Sequence, residues 1–254
     1  MINYCLGEIR RKERMKKVKK GREVLYSILF PRRCPICDHV IVYGKDICEK
    51  CEGEILYITE PACKKCGKQL SSEEREFCPD CGRKKHYYKQ GKAVFSYQKG
   101  MKRSMYRFKY AGRREYAAFY ARVAKERMQR WILRHGIEVI VPIPMYKSKQ
   151  RRRGYNQAEV FARCLGDYLE LPVDGKMIQR IKNTVPQKEL NDIQRKDNLK
   201  GAFHLQTNIV KYRKILLVDD IYTTGCTVDE VTKCFLAAGI EEIYFLTVCI
   251  GDGC

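Results

Sequence analysis

The sequence predicts an α/β domain built on parallel strands, preceded by a small cysteine-rich domain. Three observations carry this reading. From Gly91 onward, short apolar runs alternate with amphipathic stretches. "KILLVDD" (214–220) and "EIYFLTVCI" (242–250) are separated by one helical stretch, "TVDEVTKCFLAAG" (227–239). Strand, helix and strand with short links imply parallel pairing through a crossover. Upstream, residues 30–82 hold four C-x-x-C pairs and few long apolar stretches.

The remaining elements follow in order. Residues 114–132 place Tyr116, Tyr120, Val123, Arg127 and Trp131 at helical spacing, giving one mainly apolar face. "EVIVPIP" (138–144) is a short buried strand ended by prolines. "YNQAEVFARCLGDYLE" (155–170) is helical, "KMIQRI" (176–181) is a candidate strand, and residues 182–200 are polar and turn-rich. Three regions result: a basic N-terminal arm (1–29), a cysteine-rich domain (30–90) and the α/β domain (91–254). The connector "RKKHYYKQGK" (83–92) marks the second boundary.

Composition limits the function classes. The 254 residues carry 51 Lys and Arg against 30 Asp and Glu, a formal charge of +21. Such an excess points to a polyanionic partner: nucleic acid, polyphosphate or an acidic surface. "EIRRKERMKKVKKGR" (8–22) is almost wholly charged and reads as an exposed helix or a disordered arm. No apolar run approaches the ~18–20 residues of a membrane helix. No apolar segment of secretory type follows the basic N-terminus, so a cytoplasmic location is expected.

Eight of the 14 cysteines form the pairs Cys34/Cys37, Cys48/Cys51, Cys63/Cys66 and Cys78/Cys81. A C-x-x-C turn lets two thiolates chelate one ion, and tetrahedral Zn²⁺ needs two such turns. Iron–sulfur or thioredoxin-type chemistry does not predict four regularly spaced pairs. Two structural zinc sites are therefore expected. Sequential pairing closes the shortest loops, and a cross-braced pairing remains open. Gly67 and Gly82, each after the second cysteine of its pair, suit tight knuckles.

"ILLVDDIYTTGCT" (215–227) ends an apolar strand in two adjacent carboxylates, Asp219 and Asp220. A loop follows with the hydroxyls of Thr223, Thr224 and Thr227 and with Gly225, and then a helix starts. Hydroxyls, backbone N–H groups and a helix N-terminus are the parts of a phosphate cradle. There is no Walker lysine. Carboxylates repel phosphate, so the pair suits sugar hydroxyls on the same ligand. Lys147, Lys149, Arg151, Arg152 and Arg153 follow the strand at 138–144, and such cations suit phosphate groups.

The stretch 215–227 resembles the signature of type I phosphoribosyltransferases. In that family the acidic pair binds the ribose hydroxyls of phosphoribosyl pyrophosphate (PRPP), the loop binds its 5′-phosphate, and Mg²⁺ bridges the pyrophosphate. The order "LFPRRCPIC", "YRFKYAGR", "VPIPMYKSKQRRRGYNQAE", "VPQKELNDIQRKDNLKGAF", "LLVDDIYTTGCT" is similar to the ComF family over about residues 25–250. That resemblance implies a double zinc ribbon joined to a phosphoribosyltransferase-like domain. It also implies work on incoming single-stranded DNA in natural transformation. Gln187, Arg195 and Asn198 then fall on a loop that closes over substrate.

Residues 83–116 are dense in Lys and Arg with Glu115 as the one acid, and aromatics are interleaved among them. Cations for phosphates and aromatics for stacking are how single strands are held. Lys102, Arg103, Tyr106, Arg107, Lys109 and Tyr110 are the candidates for DNA contact, while Met101, Met105 and Phe108 fall at core spacing. His39, His86, His135 and His204 lie outside the motifs and are read as structural. The expected function is binding of PRPP with Mg²⁺ and of single-stranded DNA during DNA uptake, with DNA-uptake or recombination proteins as further partners. The alternative is an active phosphoribosyltransferase acting on an unidentified nucleobase or amine.

Overall fold

The computed structural model describes residues 31–42, 44–183, 199–206 and 211–251. The basic arm and the loop candidates Gln187, Arg195 and Asn198 lie outside the described residues. The chain forms two compact units, one ending at Glu52 and one starting at Gly53.

In the first unit, a knuckle at Cys34–Cys37 is closed by a bridge between Arg33 and Val40. The N–H of Cys34 donates to His39 O at 2.8 Å. The second cysteine pair sits at the start of a short helix, α1 (Glu49–Glu52). The second unit repeats this plan. A bridge between Ala62 and Gln69 closes the Cys63–Cys66 knuckle, and Cys63 N–H donates to Lys68 O at 2.7 Å. Cys81 lies on α2 (Pro79–Arg83).

Gly67 has φ +76°, and a Cβ there would come within 2.9 Å of Gly91 O and Lys92 Cα. Glycine is needed both for the turn and for the close approach to the next strand. Asp38 takes the same left-handed turn in the first knuckle, with φ 69°. Gly82 differs from the expectation of a knuckle glycine. It lies inside α2 with no atom near a would-be Cβ, so no close approach requires glycine there.

The sheet contains β1 (Gln90–Ser96), β2 (Val139–Pro142), β5 (Lys214–Tyr222) and β6 (Glu242–Ile250), ordered β1-β6-β5-β2. All three pairings are parallel. A separate antiparallel pair joins β3 (Ile178–Arg180) and β4 (Phe203–Leu205). The helices of this unit, after α2, are α3 (Lys99–Tyr110), α4 (Tyr116–His135), α5 (Lys147–Arg153), α6 (Gln157–Leu169) and α7 (Cys226–Ala237).

Strand alternation divides the core in two. Ile215, Leu217, Ile243 and Phe245 meet Val228, Val231 and Phe235 of α7, and the same cluster holds Cys63, Cys66, Cys78 and Tyr88. The second cysteine ribbon is therefore part of the core on this face of the sheet. On the other face α6 packs on β2 and β5, and α4 packs on α6 and β1. α3 turns its expected apolar face inward: Met101, Met105 and Phe108 are fully buried. The edge of β1 is covered by residues 56–58. Ser96 N–H donates to Leu56 O at 2.8 Å and Ile58 N–H to Val94 O at 3.1 Å.

Candidate ligand pocket and metal centres

The two metal centres are built by sequential pairs. Cys34, Cys37, Cys48 and Cys51 bring their sulfurs within 4.8 Å of one another, and so do Cys63, Cys66, Cys78 and Cys81. The open question of pairing is thus resolved against cross-bracing. Four sulfurs at that separation fit tetrahedral Zn²⁺ and leave no position for a substrate, which makes these sites structural.

The acidic pair stands at the carboxyl end of β5, where α/β sheets present their ligand sites. The strand runs two residues beyond the expected end, to Tyr222, and α7 begins at Cys226. Only Thr223–Gly225 lie between them. Gly225 takes φ +80° as the residue before α7.

Asp219 and Asp220 share a cavity of about 260 Å³ with Thr227, Lys109, Lys149, Arg153, Asn156 and Arg180. A carboxylate oxygen of Asp219 accepts from the N–H of Asp220 at 2.8 Å. Withdrawal from water and the neighbouring Asp220 push Asp219 up to about 7, against the pull of Lys109 and Arg180. Burial works to lower Lys109, and the Asp220 carboxylate more than offsets it, so Lys109 is held charged. Burial lowers Arg180, with Asp219 opposing.

The basic turn after β2 is a helix, α5, and its cations divide. Lys149 and Arg153 face the acidic cavity, whereas Lys147 lines an adjoining one of about 230 Å³ that shares Asn156 and Arg180. Arg151 and Arg152 are exposed and line neither cavity. Gly154, at φ +86°, ends α5. Asn156 then caps α6: its Oδ1 accepts from Ala158 N–H at 3.2 Å while Nδ2 donates to Ile143 O at 3.0 Å. One buried side chain thus ties the cavity wall to the end of β2.

Of the hydroxyl loop, Thr227 lines the cavity, whereas the exposed Thr223, the half-buried Thr224 and Gly225 are not among its lining residues. Lys109 was expected at a DNA surface and instead pairs with Asp220 at 3.0 Å. Lys102, Arg103, Tyr106 and Tyr110 do face outward from α3, and Arg107 is half-buried. Tyr106 and Tyr110 are 64% and 62% exposed, with ring centroids 5.2 Å apart. The Arg153 guanidinium lies 4.9 Å above the Tyr110 ring, which joins this aromatic pair to the cavity rim. Arg103 also pairs with Glu54.

Lys109, Asn156 and Arg180 are the polar cavity residues that the sequence did not assign to the pocket. Asn156 carried a readable signal, since asparagine before a helical stretch is an N-cap. Lys109 and Arg180 carried none, because tertiary packing brings them to β5.

Among the described residues, no helix is long and apolar enough to cross a membrane. The family description "Double zinc ribbon domain" matches residues 25–82. Competence protein F of Haemophilus influenzae is 32% identical over 215 residues, covering 77% of this chain and 93% of that protein. The DNA utilization protein YhgH of Salmonella typhimurium is 28% identical over 190 residues, covering 74% and 83%. Among solved structures, a hypoxanthine phosphoribosyltransferase from Staphylococcus aureus aligns over 54% of this chain and 64% of its own, at 10% identity and a TM-score of 0.34. At the identity and coverage shared with Competence protein F, the chain belongs to the ComF family.

Proposed function

We propose that this protein binds PRPP with Mg²⁺ in the Asp219–Asp220 cavity and single-stranded DNA along α3, and that it serves DNA uptake in natural transformation. One observation carries the pocket reading. A carboxylate pair at a strand end shares one cavity with four cations and a helix-start threonine. A ligand with donor hydroxyls and two separate phosphate groups matches this division. The ribose diol donates to Asp219 and Asp220. Thr223, Thr224, Thr227 and the N–H groups at the start of α7 receive the 5′-phosphate. Lys109, Lys149, Arg153 and Arg180 attract the pyrophosphate. Mg²⁺ would neutralise part of the pyrophosphate charge.

The names of the relatives, a competence protein and a DNA utilization protein, support the DNA-handling role. The exposed Tyr106–Tyr110 pair beside Lys102 and Arg103 offers stacking surface next to cations.

Calorimetric titration of PRPP with Mg²⁺ tests the pocket, using wild type and Asp219→Asn/Asp220→Asn. Saturable binding by wild type that the double variant loses is expected. A wild type that gives no heat overturns the reading. Pyrophosphate release in the presence of a nucleobase or amine panel would assign turnover as well as binding.

A further inference from the structure

The hydroxyl loop rests on a floor supplied by residues that directly follow the second cysteine cluster. His86 is five residues past Cys81, and its side chain is 2% exposed. Its Nδ1 lies 2.8 Å from Asp229 Oδ2, and the N–H of Tyr87 donates to Asp229 Oδ1 at 3.0 Å. Asp229 is in the first turn of α7, and its own N–H donates to Gly225 O at 2.8 Å. A Cβ on Gly225 would stand 3.1 Å from His86 Cε1 and 2.5 Å from the Tyr222 hydroxyl. The loop is thus seated on His86 and Tyr222.

These two rings are themselves anchored. The Tyr222 hydroxyl bonds that of Tyr88 at 2.8 Å, and Tyr88 stacks on His86 with centroids 5.0 Å apart. Lys65, inside the second knuckle, donates from its ammonium to Tyr88 O, and Gly91 N–H donates to Lys65 O at 2.7 Å.

His86 Nε2 is buried and has no hydrogen-bond partner among the described residues. An apolar ring would fill this space without stranding a polar atom. What the imidazole supplies is therefore the Nδ1 bond to Asp229. We propose that His86 is a positioning residue for the phosphate-binding loop, holding Thr223–Thr227 in its ligand-ready shape through Asp229 and Gly225. The assignment of that loop to phosphate rests on the function proposed above.

Hydrogen–deuterium exchange over residues 222–228 tests this in the full-length, zinc-loaded protein, for wild type, His86→Ala and His86→Asn. Asparagine keeps a donor where Nδ1 stands. His86→Ala is expected to speed loop exchange about tenfold with amides 215–218 of β5 unchanged, and to weaken PRPP binding about tenfold. His86→Asn is expected to recover most of both. Wild-type loop exchange in His86→Ala overturns the proposal. So does equal impairment by His86→Asn, or parallel deprotection of β5, either of which reduces His86 to bulk packing. The exchange arm needs no ligand, so a wild type that fails to bind PRPP sinks the pocket reading and leaves this one decided by exchange.

Discussion

The Lys109 ammonium lies 3.0 Å from Asp220 Oδ1, with the two side chains 20% and 13% exposed. Most of the described lysines are exposed, whereas this one is withdrawn to the strand end that carries both acids. The pair explains how two adjacent carboxylates are held there.

Removing one partner of such a pair leaves the other charged and largely desolvated. Lys109→Met is expected to lower unfolding free energy by about 2 kcal/mol, read by denaturant titration. Lys109→Met/Asp220→Asn is expected to regain part of that loss, because the stranded carboxylate is gone. A double variant no more stable than Lys109→Met would show that the ion pair is not the cause.

Asp219 makes stability depend on pH in a defined direction. Its native pKa of about 7 lies above the ordinary aspartate value, so the folded state holds a proton that the unfolded chain has released. The stabilisation is complete below the unfolded pKa and is lost as pH rises through about 7. Between pH 6 and 8, where the zinc thiolates stay deprotonated, wild type is expected to lose about 1 kcal/mol from this group. Asp219→Asn should lack that slope. Parallel pH profiles for the two proteins would remove Asp219 as the source.

How much was legible follows from the range of each interaction. Metal ligands at Cys63 and Cys66 are set by local spacing, so both clusters could be read from the chain. The apolar run before Asp219 fixed β5 because a fully buried parallel strand has no polar face to confuse it. β1 escaped notice because its first residues, Gln90–Lys92, read as part of the basic connector, and the apolar run left, Ala93–Phe95, is only three residues long. Lys109 reads as one of the DNA-facing cations of α3, and only its tertiary ion pair with Asp220 reveals its turn toward β5. His86 was read as structural, and its partner Asp229 is 143 residues away. No local pattern encodes that contact.

The two cysteine clusters should differ in what their loss does. Cys63, Cys66 and Cys78 belong to the core cluster that contains Leu217 and Phe245, whereas none of the first four cysteines does. Cys63→Ser/Cys66→Ser is expected to halve the zinc content and to lower the melting temperature, since it opens the core cluster that includes β5 and β6. Cys34→Ser/Cys37→Ser is expected to halve zinc content without removing any residue of that core. Metal analysis with differential scanning calorimetry reads both. An unchanged melting temperature for Cys63→Ser/Cys66→Ser would contradict a structural role for the second site.

Tyr106 and Tyr110 offer the clearest separation of stacking from charge. Their rings are adjacent and exposed on the same side of α3 as Lys102 and Arg103. Base stacking does not depend on salt, whereas phosphate contacts release counterions and do. Tyr106→Ala/Tyr110→Ala is therefore expected to weaken binding of a fluorescent oligothymidylate by about 1–3 kcal/mol per lost stack, with the salt slope unchanged. Lys102→Ala is expected to make that slope shallower by about 1. Fluorescence anisotropy over a series of salt concentrations measures both. A tyrosine variant that binds as wild type does would move the DNA path off α3. A shallower slope from the tyrosine variant would mean that its loss displaced cations and did not remove stacking.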